Sequence, residues 1–199
     1  QRSPMAQSKP PTMTLDQLIA DRVVRLTAYQ STAYAQQYRE HIDSVRCRDP
    51  QAEAIDSLTW AAATQLYRLM AIKDEYEVAR LHSDPEFYKQ LAGQFTGAYK
   101  LRFHLAPPLL CRPDPITGKI TKREFGGWIR PFFAGLARLK RLRGTKFDVF
   151  GYSAERSAER NDLKRYLDLL STVITELDTH NYQEAVALAT LPKGLRGFG

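Results

Sequence analysis

Cysteine is nearly missing from the 199-residue chain, and its two copies, Cys47 and Cys111, stand far apart with no CxxC partner. That excludes a cysteine-rich zinc or iron–sulfur site built within this chain, and it points to a reducing, cytoplasmic compartment. Long hydrophobic runs are missing too. The longest, such as "WAAA" and "LAPPLL", fall far short of the roughly 18 residues that cross a bilayer. No transmembrane helix or secretory signal can be read, so no membrane partner is expected. The chain also lacks a GxGxxG turn, a Walker loop, an HExxH helix and a GxSxG elbow. His41, His82, His104 and His180 have no glutamate three residues before them, which removes the Glu-x-x-His pairs of a di-iron bundle. The expectation is a segment with no catalytic residue, no cofactor-binding residue and no metal ligand of its own.

What is present is ordinary globular composition, 43% hydrophobic and 26% charged. A chain of this length can bury roughly 70% of its unfolded surface in one core. The charge is uneven. Lys119, Lys122, Arg123, Arg130, Arg138, Lys140, Arg141 and Arg143 face a single anion, Glu124, between 119 and 143. That window holds the whole net charge of +7. Lys122, Arg123, Arg138, Lys140, Arg141 and Arg143 are therefore the candidates for docking an acidic partner. Aromatic residues interleave with these cations, which keeps a nucleic-acid surface open. An amphipathic helix with solvated arginines, and with cations placed to suit its C-terminal dipole, is the plainer explanation.

Residues 1–13, "QRSPMAQSKPPTM", have three prolines and no periodicity and read as a linker or tail. The missing initial methionine points to a piece of a longer polypeptide. Residues 14–199 read as one helical domain. Thr14 and Gln17 make a capping box, and an apolar stripe, with a one-residue hitch near Tyr34, predicts one helix over about 15–46, closed by Asp49-Pro50. A second helix is expected over about 51–82, its stripe including Ile55. A short one follows, capped by Ser83 or Asp84 with Pro85 at its first position. Alternation in "YKLRFHLAPPLL" and a turn at Thr117-Gly118 predict a small hairpin near 99–125 that must lean on helices. "WIRPFFAGLARLKRLRG" reads as a helix ending at Gly144. The aromatic cluster Phe125, Trp128, Phe132 and Phe133 is expected in the core. Leu163, Leu167, Leu170, Ile174 and Leu177 form a heptad-like seam on a helix over about 153–178, suited to helix pairing or self-association. A last short helix spans about 181–190. The fold class is mainly α, a bundle of five to six helices with one hairpin.

"AIKDEYEVARLH", from Ala71 to His82, is the densest polar stretch. A solvated helix face would pair Lys73 with Glu77 and Glu77 with Arg80. Leu66, Leu69, Lys73, Tyr76 and Arg80 also step by threes and fours, so the charges can lie along the buried stripe. Lys73, Glu77, Arg80 and His104 are the candidates for such a polar seam, which requires pairing. Catalytic work by Asp74, Glu75 or Glu77 lacks an accompanying nucleophile or cofactor motif.

The ordered strings "AIKDEYEVARLH", "FHLAPPLL", "DPITGKITKREFGGW", "LARLKRLRGTKFDVFGYSAERSAER" and "LATLPKGLRGFG" resemble the C-terminal domain of long, fused indolepyruvate ferredoxin oxidoreductases, from about Thr14 to Gly199. The resemblance implies membership of a 2-oxoacid:ferredoxin oxidoreductase that uses thiamine diphosphate with Mg, 4Fe–4S clusters and coenzyme A. Those groups belong to upstream domains of that family, and no GDG-type thiamine signature or cysteine run occurs here. The resemblance therefore implies an accessory domain, not catalytic alone, that packs on other domains or subunits or steers an acidic ferredoxin.

Overall fold

The computed structural model describes residues 13–95, 97, 99–106 and 121–194. The expected linker, Pro107-Pro108, Cys111 and the Thr117-Gly118 turn lie outside the described residues, apart from Met13. The structure is mainly helical with a two-stranded antiparallel hairpin. Eight α-helices occur among the described residues: α1 (Leu15–Tyr29), α2 (Thr32–Arg48), α3 (Leu58–Met70), α4 (Glu75–Ser83), α5 (Pro85–Gln94), α6 (Arg130–Arg138), α7 (Ala154–Glu176) and α8 (Tyr182–Thr190). No described helix is long and apolar enough to cross a membrane. Where the sequence reads as one domain over 14–199, the chain forms two compact units. One contains the described residues up to Ala71 together with those from Ala158 onward, and the other is Ile72–Ser157.

The count exceeds the expected five to six because both long helices are broken. The Thr14–Gln17 capping box opens α1 as expected. Gln30 then leaves helical geometry, and the Ser31 side chain accepts from the Tyr34 N–H to start α2. The one-residue hitch is the physical reason. In a straight helix it would rotate the second apolar stripe by about 100° away from the first, whereas a break lets both stripes face one core. Leu18, Ile19 and Leu26 of α1 and Tyr38, Ile42 and Val45 of α2 are all buried there, and the two helices pack together. The expected helix over 51–82 is also two. Residues 51–57 form turns, Ile55 is 54% exposed, and the helix proper begins only after Ser57, whose Oγ accepts from the Trp60 N–H.

In the first unit the carboxylate of Asp49 fixes the turn before α3. Its Oδ2 accepts from the Thr59 N–H at 2.8 Å and the Thr59 hydroxyl at 2.7 Å; its Oδ1 accepts from the Gln51 N–H at 2.9 Å and the Tyr182 hydroxyl at 3.0 Å. On α7 the buried face is Tyr166, Leu170 and Val173. Leu163, Leu167, Ile174 and Leu177 of the expected seam are half-buried and pack against the unit's own core. The Tyr166 hydroxyl donates to the Ala189 carbonyl at 2.7 Å, which fastens α7 to α8.

The second unit holds α4–α6 and the hairpin. Strands β1 (Phe103–Leu105) and β2 (Arg123–Phe125) pair antiparallel with His104 opposite Glu124. They are three residues each, shorter than the alternation predicted. Phe103 packs with Ala79 of α4 and with Ile129 and Phe133, so the hairpin leans on helices as two lone strands must. Of the expected core aromatics only Phe133 is buried; Phe125 is half-buried, and Trp128 and Phe132 are 73% and 63% exposed. The helix they begin is a 3₁₀ turn, Gly127–Ile129, followed by α6 and a second 3₁₀ turn, Leu139–Leu142. Gly144 ends it with φ +74°, the left-handed conformation expected of that glycine.

Asp49→Ala strips four donors of their acceptor and should cost about 3 kcal/mol or more of unfolding free energy. The exposed Glu53, paired with Arg46 at the surface, should cost under about 1 kcal/mol when changed to Ala. Denaturant titration of both variants compares them, and equal losses would remove the role given to Asp49.

Candidate functional site

The polar stretch from Ala71 to His82 folds into the start of the second unit. Asp74 is the N-cap of α4, its carboxylate accepting from the Glu77 N–H at 2.8 Å. The same carboxylate receives Arg143 from the end of the basic window through two bonds, Nε to Oδ2 at 2.5 Å and Nη2 to Oδ1 at 2.7 Å. The side chains of Asp74 and Arg143 are only 7% and 11% exposed. Arg143 also lies over the Tyr76 ring, 5.4 Å from its centroid. A fork-to-fork pair of this kind satisfies both charges, which burial otherwise penalises.

Tyr76 links this pair to a second buried carboxylate. Its hydroxyl donates to Asp148 Oδ1 at 3.2 Å, and burial followed by the Asp148 charge pushes its pKa up to about 12. Asp148 also accepts from the backbone N–H groups of Gly144 (2.8 Å), Gly151 (3.0 Å) and Phe150 (3.3 Å). At Gly151 a Cβ would lie 2.6 Å from Asp148 Oδ2, so the loop closes this tightly only around a glycine. Glu75 is held more loosely. Arg156 Nη2 is 3.7 Å from its Oε2, an atom that makes no hydrogen bond among the described residues. Burial raises the Glu75 pKa, against the lowering influence of Arg156.

The four seam candidates therefore separate. Glu77 and Arg80 pair at 2.7 and 2.8 Å and are partly buried. Lys73 is exposed, and its backbone carbonyl, rather than its ammonium, meets Arg156 at 3.5 Å. His104 is 63% exposed on β1, 4.0 Å from Glu124, which also receives Arg102 at 2.6 Å. The residues that carry the seam are Asp74, Tyr76, Arg143 and Asp148. For Asp74 a signal existed in the sequence: an aspartate three residues before Glu77, at the head of a periodic segment, is an N-cap pattern. Nothing local announced Asp148, or that it would meet Tyr76 from 72 positions away.

The docking candidates divide by exposure. Lys122, Arg123, Arg138 and Arg141 are exposed. Lys140 is half-buried, and its pKa is lowered by burial and then by Arg80 and Arg143. Arg143 is committed to Asp74 and drops out of the docking set. His82 is half-buried among aromatics, stacked on Phe133 at 5.2 Å and edge-on to Phe103 at 5.2 Å. Burial, then Lys73, lowers its pKa. Among the described residues no group of three or more His, Cys, Asp or Glu side chains is placed to hold a metal ion.

Asp74→Ala leaves Arg143 buried without its partner and should cost about 3–5 kcal/mol, whereas Asp74→Leu with Arg143→Met should recover most of it. Chemical denaturation of the two variants tests this, and a double variant no more stable than the single one contradicts it. For His82 the sign follows from the lowered pKa. The fold favours the neutral ring, so its contribution is intact above the ordinary histidine pKa and is lost as pH falls through that value. Thermal unfolding of His82→Leu between about pH 7.5 and about pH 5 should decline less than that of the unaltered chain; an equal decline contradicts the assignment.

No curated protein and no solved structure matches the chain. The model of a family described as a family of unknown function, DUF6537, matches residues 15–199, and the chain belongs to that family.

Proposed function

We propose that this chain is a C-terminal accessory domain of a thiamine-diphosphate- and iron–sulfur-dependent indolepyruvate/2-oxoacid:ferredoxin oxidoreductase, non-catalytic by itself. The ordered strings that resemble that family from Thr14 to Gly199 carry the reading. The use of the acidic groups supports it: Asp49, Asp74 and Asp148 accept bonds from caps, turns and an arginine, which leaves them holding backbone in place. A domain of this kind packs on the catalytic body, with thiamine diphosphate, Mg and the 4Fe–4S clusters supplied by other domains.

Within this reading the exposed cations Lys122, Arg123, Arg138 and Arg141 steer an acidic ferredoxin, because complementary fields raise encounter rates at low salt. The isolated domain should fold yet show no 2-oxoacid-dependent ferredoxin reduction; turnover by the purified domain would end the proposal. In the intact enzyme, Arg138→Glu with Arg141→Glu should raise the apparent KM for ferredoxin by about three- to tenfold at low salt, the difference fading as salt screens it. Arg143 is left unaltered because its loss would disturb folding. An unchanged KM at low salt removes the steering role.

A further inference from the structure

The second unit carries a groove that the accessory role does not use. It consists of two contiguous cavities of about 480 and 550 Å³ that share Tyr88, Gly127 and Arg130. Both volumes suit a small-molecule ligand. The first cavity is bordered by His82, Ser83 and Trp128, the second by Tyr99, Lys100, Arg102 and Glu124. One end thus offers flat rings and hydrogen-bonding groups, the other cations.

The shared wall is held in place. The Tyr88 hydroxyl donates to the His82 carbonyl at 2.7 Å, and the Arg130 guanidinium lies over the Tyr88 ring, 4.0 Å from its centroid. Trp128 is 73% exposed where it borders the first cavity, so its indole is open to solvent. The His82 ring is packed against Phe103 and Phe133, and the residue borders the first cavity.

Charge narrows the ligand class. Lys100, Arg102 and Arg130 face one carboxylate, Glu124, which already binds Arg102 at 2.6 Å, so the groove is left with two net positive charges. A phosphate monoester carries about −1.5 to −2 at neutral pH and matches this, whereas a single carboxylate would leave the groove positively charged. Aromatic faces beside cations bind a base by stacking and its phosphate by charge.

We propose that this groove binds a nucleotide, with the base on Trp128 and Tyr88 near His82 and the phosphate on Lys100, Arg102 and Arg130. The assignment is independent of the accessory role and stands or falls separately from it. The test uses the full chain and follows Trp128 fluorescence, with calorimetry as a second readout, during titration with AMP, adenosine, inorganic phosphate and a single-stranded oligonucleotide. AMP should bind at least about tenfold more tightly than adenosine or phosphate alone, because both ends of the groove contribute. Trp128→Ala, followed by calorimetry, and Lys100→Glu should each weaken AMP by about tenfold or more, while Arg138→Glu should not. Circular dichroism melts confirm that the variants fold. Failure of AMP to saturate at millimolar concentration overturns the proposal, as does AMP affinity unaltered by both groove variants. Binding of the oligonucleotide alone, with a steep salt dependence, overturns it in favour of a nucleic-acid surface. Inactivity of the isolated domain in ferredoxin reduction has no bearing on any of these outcomes.

Discussion

A carboxylate removed from water must be given donors in return, and the structure is arranged around three aspartates that meet this requirement. Asp49, Asp74 and Asp148 are between 5% and 7% exposed. Each lies just outside a helix or in the loop between helices, where free backbone N–H groups are concentrated. Asp49 ties the α2 end to the start of α3 and to Tyr182. Asp74 begins α4 and receives Arg143, and Asp148 gathers the 144–151 loop onto Tyr76. These contacts join segments far apart in sequence, which apolar packing alone would leave free to slide.

The same requirement reshapes the basic window. Arg143 turns inward because Asp74 needs a charged partner, whereas Arg138 and Arg141 stay in solvent. Lys140, pressed by Arg80 and Arg143, sits between the two conditions. A run that reads in sequence as one cationic surface is therefore divided into a structural ion pair and an exterior set able to meet partners. The aromatics beside it divide similarly: Phe133 enters the core while Phe132 and Trp128, the latter bordering the groove, stand in solvent.

Much of this was legible from local pattern. The Thr14 capping box, Asp84 with Pro85, the glycine stop at Gly144 and the apolar spacing of the helices each depend on residues within a turn or two of one another. So did the need for a paired seam near Glu77 and Arg80. The helix break at Ser31 and the late start of α3 after Ser57 were harder to read, because a serine at a cap and a serine on a helix surface look alike until the apolar faces nearby are known to share a core. His104 and Lys73 misled for a related reason: strand alternation and helical spacing place a residue on a face without saying whether that face is covered.

The sequence by itself determined the helical class, the small hairpin, the concentration of positive charge between 119 and 143, and the shortage of cysteine. Periodicity, capping and composition are local properties, and they survive in the chain whatever its fold. Only the tertiary structure decided which carboxylates are buried, that Arg143 meets Asp74 and Tyr76 meets Asp148, and that Tyr88, Trp128, Lys100 and Arg130 border one groove. The two pairs span 69 and 72 positions, and all these meetings are fixed by how helices pack rather than by any spacing along the chain.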